Sequence, residues 1–306
     1  MPVSGGVRPA APGGPQQSAP PAYPPTPAGW YVVAILFGAA MISYTDRLIL
    51  NLLVDPIRRD LQLTDVQISY LQGAAFAIIY AIIALPMGNL ADRHGRRKLL
   101  LFGISTWSLA TAACGFAASF KDLFLLRLCV GIGEAALAPA AMSLIPDYFP
   151  PQRRGTAIGV FLLGIQCGAG AANLIGGLLI AGFASGRFAG IPLLGHLEPW
   201  RAVLVSLGIA GVAVGALLFT VREPARQDTI ATTLGRTQRE HLRIVISYLK
   251  RNRWTFVLLV AAFCLDNVRG YGTDSWMPSV LVRDFGLPAS RAGTLQIGRA
   301  SCRERV

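Results

Sequence analysis

Seven apolar stretches, near 30–53, 67–90, 99–118, 122–146, 155–183, 200–221 and 254–282, divide this chain. At about 1.5 Å of rise per residue, each is long enough as a helix to cross a hydrocarbon layer of about 30 Å. In hydrocarbon every backbone N–H and C=O must be satisfied inside the protein, and runs of this length do that as helices. Charged residues make up 14% of the 306, against roughly a quarter in soluble domains. The mean hydropathy is +0.49. The sequence predicts an all-α, multi-pass integral membrane protein lying in a lipid bilayer.

The net charge of +12 invites a nucleic-acid reading. The basic residues fall instead in short loops between apolar runs, with no continuous patch, so no nucleic-acid partner is expected. Loops rich in Lys and Arg are held on the cytoplasmic side during insertion. That rule places 91–98, 147–154 and 222–253 inside, and 54–66, 119–121 and 184–199 outside. Residues 1–28 are crowded with Pro, Ala and Gly around a single charge, Arg8, and are expected to form a disordered cytoplasmic tail with some polyproline II character. The stretch 222–253 is the longest and most basic of the loops. From Thr237 to Leu249 it has helical spacing with one apolar face, which predicts a helix on the membrane surface.

Charges inside the hydrocarbon are costly and are the first candidates for function. On the fourth stretch Arg127, Gly131, Glu134 and Ala138 recur at spacings of four, three and four, which puts them on one helix face. Glu134 lies about 18 Å into its stretch, near the midplane, where a carboxylate is a candidate proton carrier. Asp46 sits at a depth similar to that of Arg127 and is its candidate ion-pair partner. The neighbouring Arg47 is expected either to snorkel to the interface or to contact substrate, with snorkelling favoured. Asp266 and Arg269 are three apart on the seventh stretch and can pair along one face. On the fifth, Gly164, Gly168, Ala172 and Gly176 form a small-residue stripe for close helix packing. Cys114, Cys129, Cys167, Cys264 and Cys302 show no metal or redox spacing, so neither a metal site nor a cofactor is expected.

The turn Gly88-Asn89-Leu90-Ala91-Asp92-Arg93-His94-Gly95-Arg96-Arg97-Lys98 resembles the signature loop between the second and third helices of the major facilitator superfamily, Gly-x-Leu-Ala-Asp-Arg-x-Gly-Arg-Arg/Lys. Arg127-x-x-x-Gly131-x-Gly133, and Asp46 with the ending Asn51 to Ile57, resemble its fourth-helix and first-helix motifs. Gly131-Ile132-Gly133-Glu134-Ala135-Ala136 resembles the spinster-like branch. The resemblance covers about residues 30 to 295. It implies a six-helix N-terminal half over 29–221, a central loop over 222–253 and a seventh transmembrane helix with outer loop over 254–295. It further implies a secondary transporter working by alternating access, with a proton-coupled small organic or amphipathic anion such as a lysolipid-like molecule as substrate. In that picture Asp46, Arg127, Glu134, Asp266 and Arg269 serve substrate or proton coupling. Gly88, Asp92, Arg93, Gly95, Arg96 and Arg97 form a cytoplasmic gating loop, with Gly88 allowing close approach of a helix and Asp92 pairing with a nearby arginine. The full-length protein is expected to be a monomer in a bacterial inner membrane. The ending Gln296 to Val306 resembles a translated sequencing adapter, so the chain is expected to be a truncated gene product cut after the seventh helix.

Two other classes compete. A lipid-modifying enzyme needs a nucleophile and base or metal ligands, but His94, His196 and His241 all lie in loops without such partners. A non-transporting scaffold or sensor with the same fold has no need of ions at the midplane.

Overall fold

The computed structural model describes residues 23–188, 190–191, 194–226, 238–288 and 291. Most of the expected N-terminal tail, linker residues 227–237 and the ending 296–306 lie outside the described residues. All described secondary structure is helical. The long helices are α1 (Thr26–Asp60), α2 (Asp65–Arg93), α3 (Arg96–Cys114), α4 (Phe120–Tyr148), α5 (Pro151–Ala184), α6 (Pro199–Thr220), the amphipathic α7 (Gln238–Arg251) and α8 (Arg253–Arg283).

Five of these, α1, α2, α4, α5 and α6, are long and apolar enough to span a membrane. The sequence predicts spans at α3 and α8 as well. Both are helical, but α3 opens on Arg96, Arg97 and Lys98 within only 19 residues, and α8 carries Asp266, Arg269 and Asp274 in mid-length. On α7, Ile246, Tyr248 and Leu249 are exposed, so an apolar flank is presented outward beside Lys250 and Arg251.

Local chemistry sets the helix ends. Thr64 and Gln67 form a reciprocal capping box that starts α2. Ser119 accepts from the backbone N–H of Asp122 at the start of α4. Pro151 and Pro199 occupy the first turns of α5 and α6, where a missing N–H costs nothing. Helix α4 is interrupted at Ala135–Ala136, between Phe120–Glu134 and Leu137–Tyr148. Pro139 explains the break, because it has no N–H for the carbonyl of Ala135 and its ring crowds that carbonyl.

α1 packs chiefly on α5, α3 on α6 and α4, and α2 on α4. The small-residue stripe of α5 forms the α1 seam. A Cβ built on Gly164 would stand 2.6 Å from the carbonyl oxygen of Phe37, and one on Gly168 would stand 2.5 Å from that of Met41. Backbone therefore meets backbone, and any side chain at Gly168 would force the helices apart.

The buried apolar residues form two clusters. One, around Leu36, Leu100, Ile104 and Val130, lies toward the 91–98 turn; the other, around Ile49, Leu53, Leu123 and Leu204, lies toward the opposite end. Between them, in the middle of α1 and α4, is a belt of buried polar residues: Ser43, Thr45, Asp46, Arg127 and Glu134.

Candidate functional site

The belt holds two ion pairs. Arg127 Nη1 donates to Asp46 Oδ2 at 3.0 Å, with side chains 1% and 2% exposed. Arg47 Nη2 donates to Glu134 Oε2 at 2.7 Å, with Glu134 fully enclosed. The expectation that Arg47 snorkels to the interface is corrected. α1 turns it inward, because the carboxylate left at the α4 break offers a buried cation a partner that the helix's own sequence does not show. Each pair leaves hydrogen-bonding capacity unspent. Asp46 Oδ1, Glu134 Oε1, Arg47 Nε and both Nε and Nη2 of Arg127 are buried without a partner among the described residues. Such atoms are expensive in a dry interior unless water, a proton or a ligand serves them. A cavity bordered by Ser43, Tyr44, Arg47, Tyr80, Glu134 and Phe161 opens beside the pairs.

Asp266 and Arg269 are not brought to this site. They pair with each other on a face where their side chains are 64% and 63% exposed. α8 reaches toward the belt with Tyr271 instead, whose hydroxyl donates to the carbonyl of Gln72 at 3.4 Å. Gln72 in turn donates to Asn51 at 3.1 Å. Gln72 gives no signal in the sequence, since an isolated Gln in an apolar run carries no pattern.

At the basic end, Arg96 is the hub. Buried at the start of α3, it donates to Asp147, to Glu223 at 3.0 Å and to the carbonyls of Ser143 and Pro224 at 3.2 Å. Its backbone N–H also donates to Glu223, at 2.8 Å. Gly95 caps the helix, and Arg97 donates to the carbonyls of Leu218 and Phe219. Arg93 closes α2. The expected pairing of Asp92 with a nearby arginine is corrected. Its carboxylate makes no ion pair among the described residues, and its backbone carbonyl accepts from Arg226. The arginine turns to Asp147 and Glu223 because these lie on the buried side of α3, whereas Asp92 faces outward. Gly88 has open space beside it and no close helix among the described residues. Burial pushes Glu223 up, but the backbone and side-chain hydrogen bonds from Arg96, with the backbone of Arg97, outweigh it and hold the carboxyl below its usual range.

At the opposite end, Arg283 on α8 joins α1 and α2. It donates to Asp55 at 2.7 Å and to Asp65 at 3.1 and 3.3 Å, and Arg58 also reaches Asp65 at 3.3 Å. The hydrogen bond from Arg283 holds Asp65 below the usual carboxylate range. A depressed carboxyl stabilises the clasp at neutral pH and loses that contribution only as pH falls through the lowered value. Spin labels at the exposed positions Val66 and Phe285 are therefore expected to keep one separation from neutrality down to about pH 4 and to move apart below it. Arg283→Gln is expected to give the longer separation already at neutral pH.

With this geometry established, known proteins offer a comparison. The family model described as Major Facilitator Superfamily matches residues 36–300. The chain belongs to that superfamily. A solved bacterial homologue of the human lysosomal transporter spinster, inward-facing and unoccupied, superposes with a TM-score of 0.78 at 32% identity, over 88% of this chain and 59% of that one. A probable L-galactonate transporter of Escherichia coli is 33% identical over 85% of this chain and 56% of its own length. Protein spinster of Drosophila melanogaster is 27% identical over 82% of this chain and 39% of its own length. The superfamily membership and the spinster-like resemblance both stand, and these relatives are transporters, not enzymes. The chain spans little more than half the length of the bacterial relatives, and less of the fly protein.

Proposed function

We propose that this chain forms the substrate-binding half of a secondary transporter that carries a small organic or amphipathic anion by alternating access, coupled to protons. The observation that carries the reading is one buried and one partly buried ion pair with unspent polar atoms, at mid-depth between two apolar clusters. Packing alone has no use for two cations and two carboxylates in hydrocarbon, where each costs several kcal/mol unless compensated. A substrate anion would take the open donors of Arg127, and a proton would take Glu134 or Asp46. Relatives named for acid-sugar transport and for spinster support an anion of one of these two chemistries. Gly88, Asp92, Arg93, Gly95, Arg96 and Arg97 form one side of a cytoplasmic gate, and the bacterial relatives favour a bacterial inner membrane.

The test is flux into vesicles containing the full-length protein, of which this chain is the proposed half, driven by an imposed pH gradient, with L-galactonate and a lysophospholipid as alternative solutes. Uptake above that of empty vesicles is expected for one of them, and Glu134→Gln is expected to abolish its dependence on the gradient. Gradient-driven uptake persisting in Glu134→Gln sinks the proton role. No flux with either solute favours a scaffold.

A further inference from the structure

Buried Arg127 and half-buried Arg47 share one aromatic ring. The guanidinium carbon of Arg47 lies 4.2 Å from the centroid of Phe76, and that of Arg127 lies 6.0 Å from it. Arg47 is also within 5.3 Å of the Tyr44 ring and 5.2 Å of the Tyr80 ring. Tyr80 stacks on Phe76 with centroids 5.3 Å apart. The ring of Phe76 offers both cations the face of a π system while offering neither carboxylate a hydrogen bond. It is 4% exposed.

Two features of the chain seat the ring there. Immediately before Ala75, α2 makes a π-helical turn over Tyr70–Ala74. Such a turn inserts one residue and rotates the remainder of the helix by about 100° relative to an uninterrupted one. Opposite, Gly131 of α4 lets α2 come close, since a Cβ there would stand 2.5 Å from Cγ2 of Ile79 and 3.2 Å from the carbonyl oxygen of Phe76. The glycine three residues before Glu134 thus fixes the height at which Phe76 enters the belt.

We infer that Phe76 is a positioning residue: it occupies the space between the two guanidiniums and so keeps Arg47 on Glu134 and Arg127 on Asp46. Two cations and two carboxylates without that spacer would share one dry volume, in which each arginine can reach either carboxylate. The inference rests on the reading of Glu134 as the proton-carrying group. The charged and titratable groups facing Glu134 and its arginine are Asp46 and Arg47 on α1, Tyr80 on α2, Arg127 on α4 and Tyr271 on α8.

The test reads Glu134 directly. The infrared band of its protonated carboxyl, assigned by its loss in Glu134→Gln, is followed against pH in the full chain in lipid nanodiscs. Losing the cation favours the neutral acid, so Phe76→Leu is expected to half-protonate Glu134 at about tenfold lower proton concentration. Phe76→Tyr, which keeps the ring, is expected to titrate as the unaltered chain does. Tyr80→Leu, at the edge of the cage, provides a milder variant with a smaller shift in the same direction should Phe76→Leu lose its helix content. A folded Phe76→Leu chain that titrates unchanged overturns the inference. Because no transported solute is needed, pH-independent flux beside a shifted titration overturns only the proposed coupling. Gradient-driven flux beside an unshifted titration overturns only the role of Phe76.

Discussion

Arg127→Gln is expected to destabilise the chain by about 3–5 kcal/mol, the range for removing one member of a buried pair. The loss comes less from the missing 3.0 Å bond than from what remains, a carboxylate on Asp46 that is 2% exposed and has no other cation on it among the described residues. Asp46→Asn alone strands the guanidinium in the same way. The double variant Asp46→Asn/Arg127→Gln replaces two charges by two amides that can bond to each other, and it is expected to recover most of the loss. Unfolding of all three variants and the unaltered chain in one detergent gives the cycle. Losses that simply add would show that the pair is not the unit of stability here.

Arg96→Ala is the second large effect. One guanidinium gathers Asp147 at the end of α4, Glu223 beyond α6 and the carbonyls of Ser143 and Pro224. Hydrogen bonds to charged groups are worth about 1.5–3 kcal/mol each, so losing the hub is expected to free Val221–Arg226 before anything else unfolds. Amide hydrogen exchange in that segment is expected to speed up by about a hundredfold, while exchange in α1 and α5 stays as it was. Lysine is not expected to rescue, because one ammonium cannot reproduce the fork that serves two carboxylates and two carbonyls. The same segment should loosen in acid. Glu223 is held below its usual range, so its contribution is intact at neutral pH and is lost as pH falls through that lowered value. Protection that survives Arg96→Ala would place the anchor elsewhere, with Arg226 on the carbonyls of Ala91 and His94 the next to examine.

The helices were legible because hydrocarbon leaves a chain little choice, but the apolar runs that mark them do not fix their ends: the first run stops at 53, whereas α1 continues to Asp60. The depth of Glu134 and Arg127 could be read by counting along one helix. The orientation of Arg47 could not. It depends on Glu134, 87 positions away, and on a break in α4 whose cause, Pro139, lies five residues beyond the carboxylate. Asp147 and Glu223 were missed as partners of Arg96 for the same reason: they approach it from two other parts of the bundle, 51 and 127 positions along the chain. Spacing brings Asp266 and Arg269 together and the family resemblance lends them a site role, but neither fixes what they face.

The seam between α1 and α5 sets a limit on how a greasy solute could enter. Where the Cβ of Gly168 would stand 2.5 Å from a main-chain oxygen of α1, the two helices leave no slot for an acyl chain and cannot slide past one another without first separating. They should travel as one plank, carrying Asp46 with them. Any tail that reaches the buried arginines from the side must come in through another wall of the bundle.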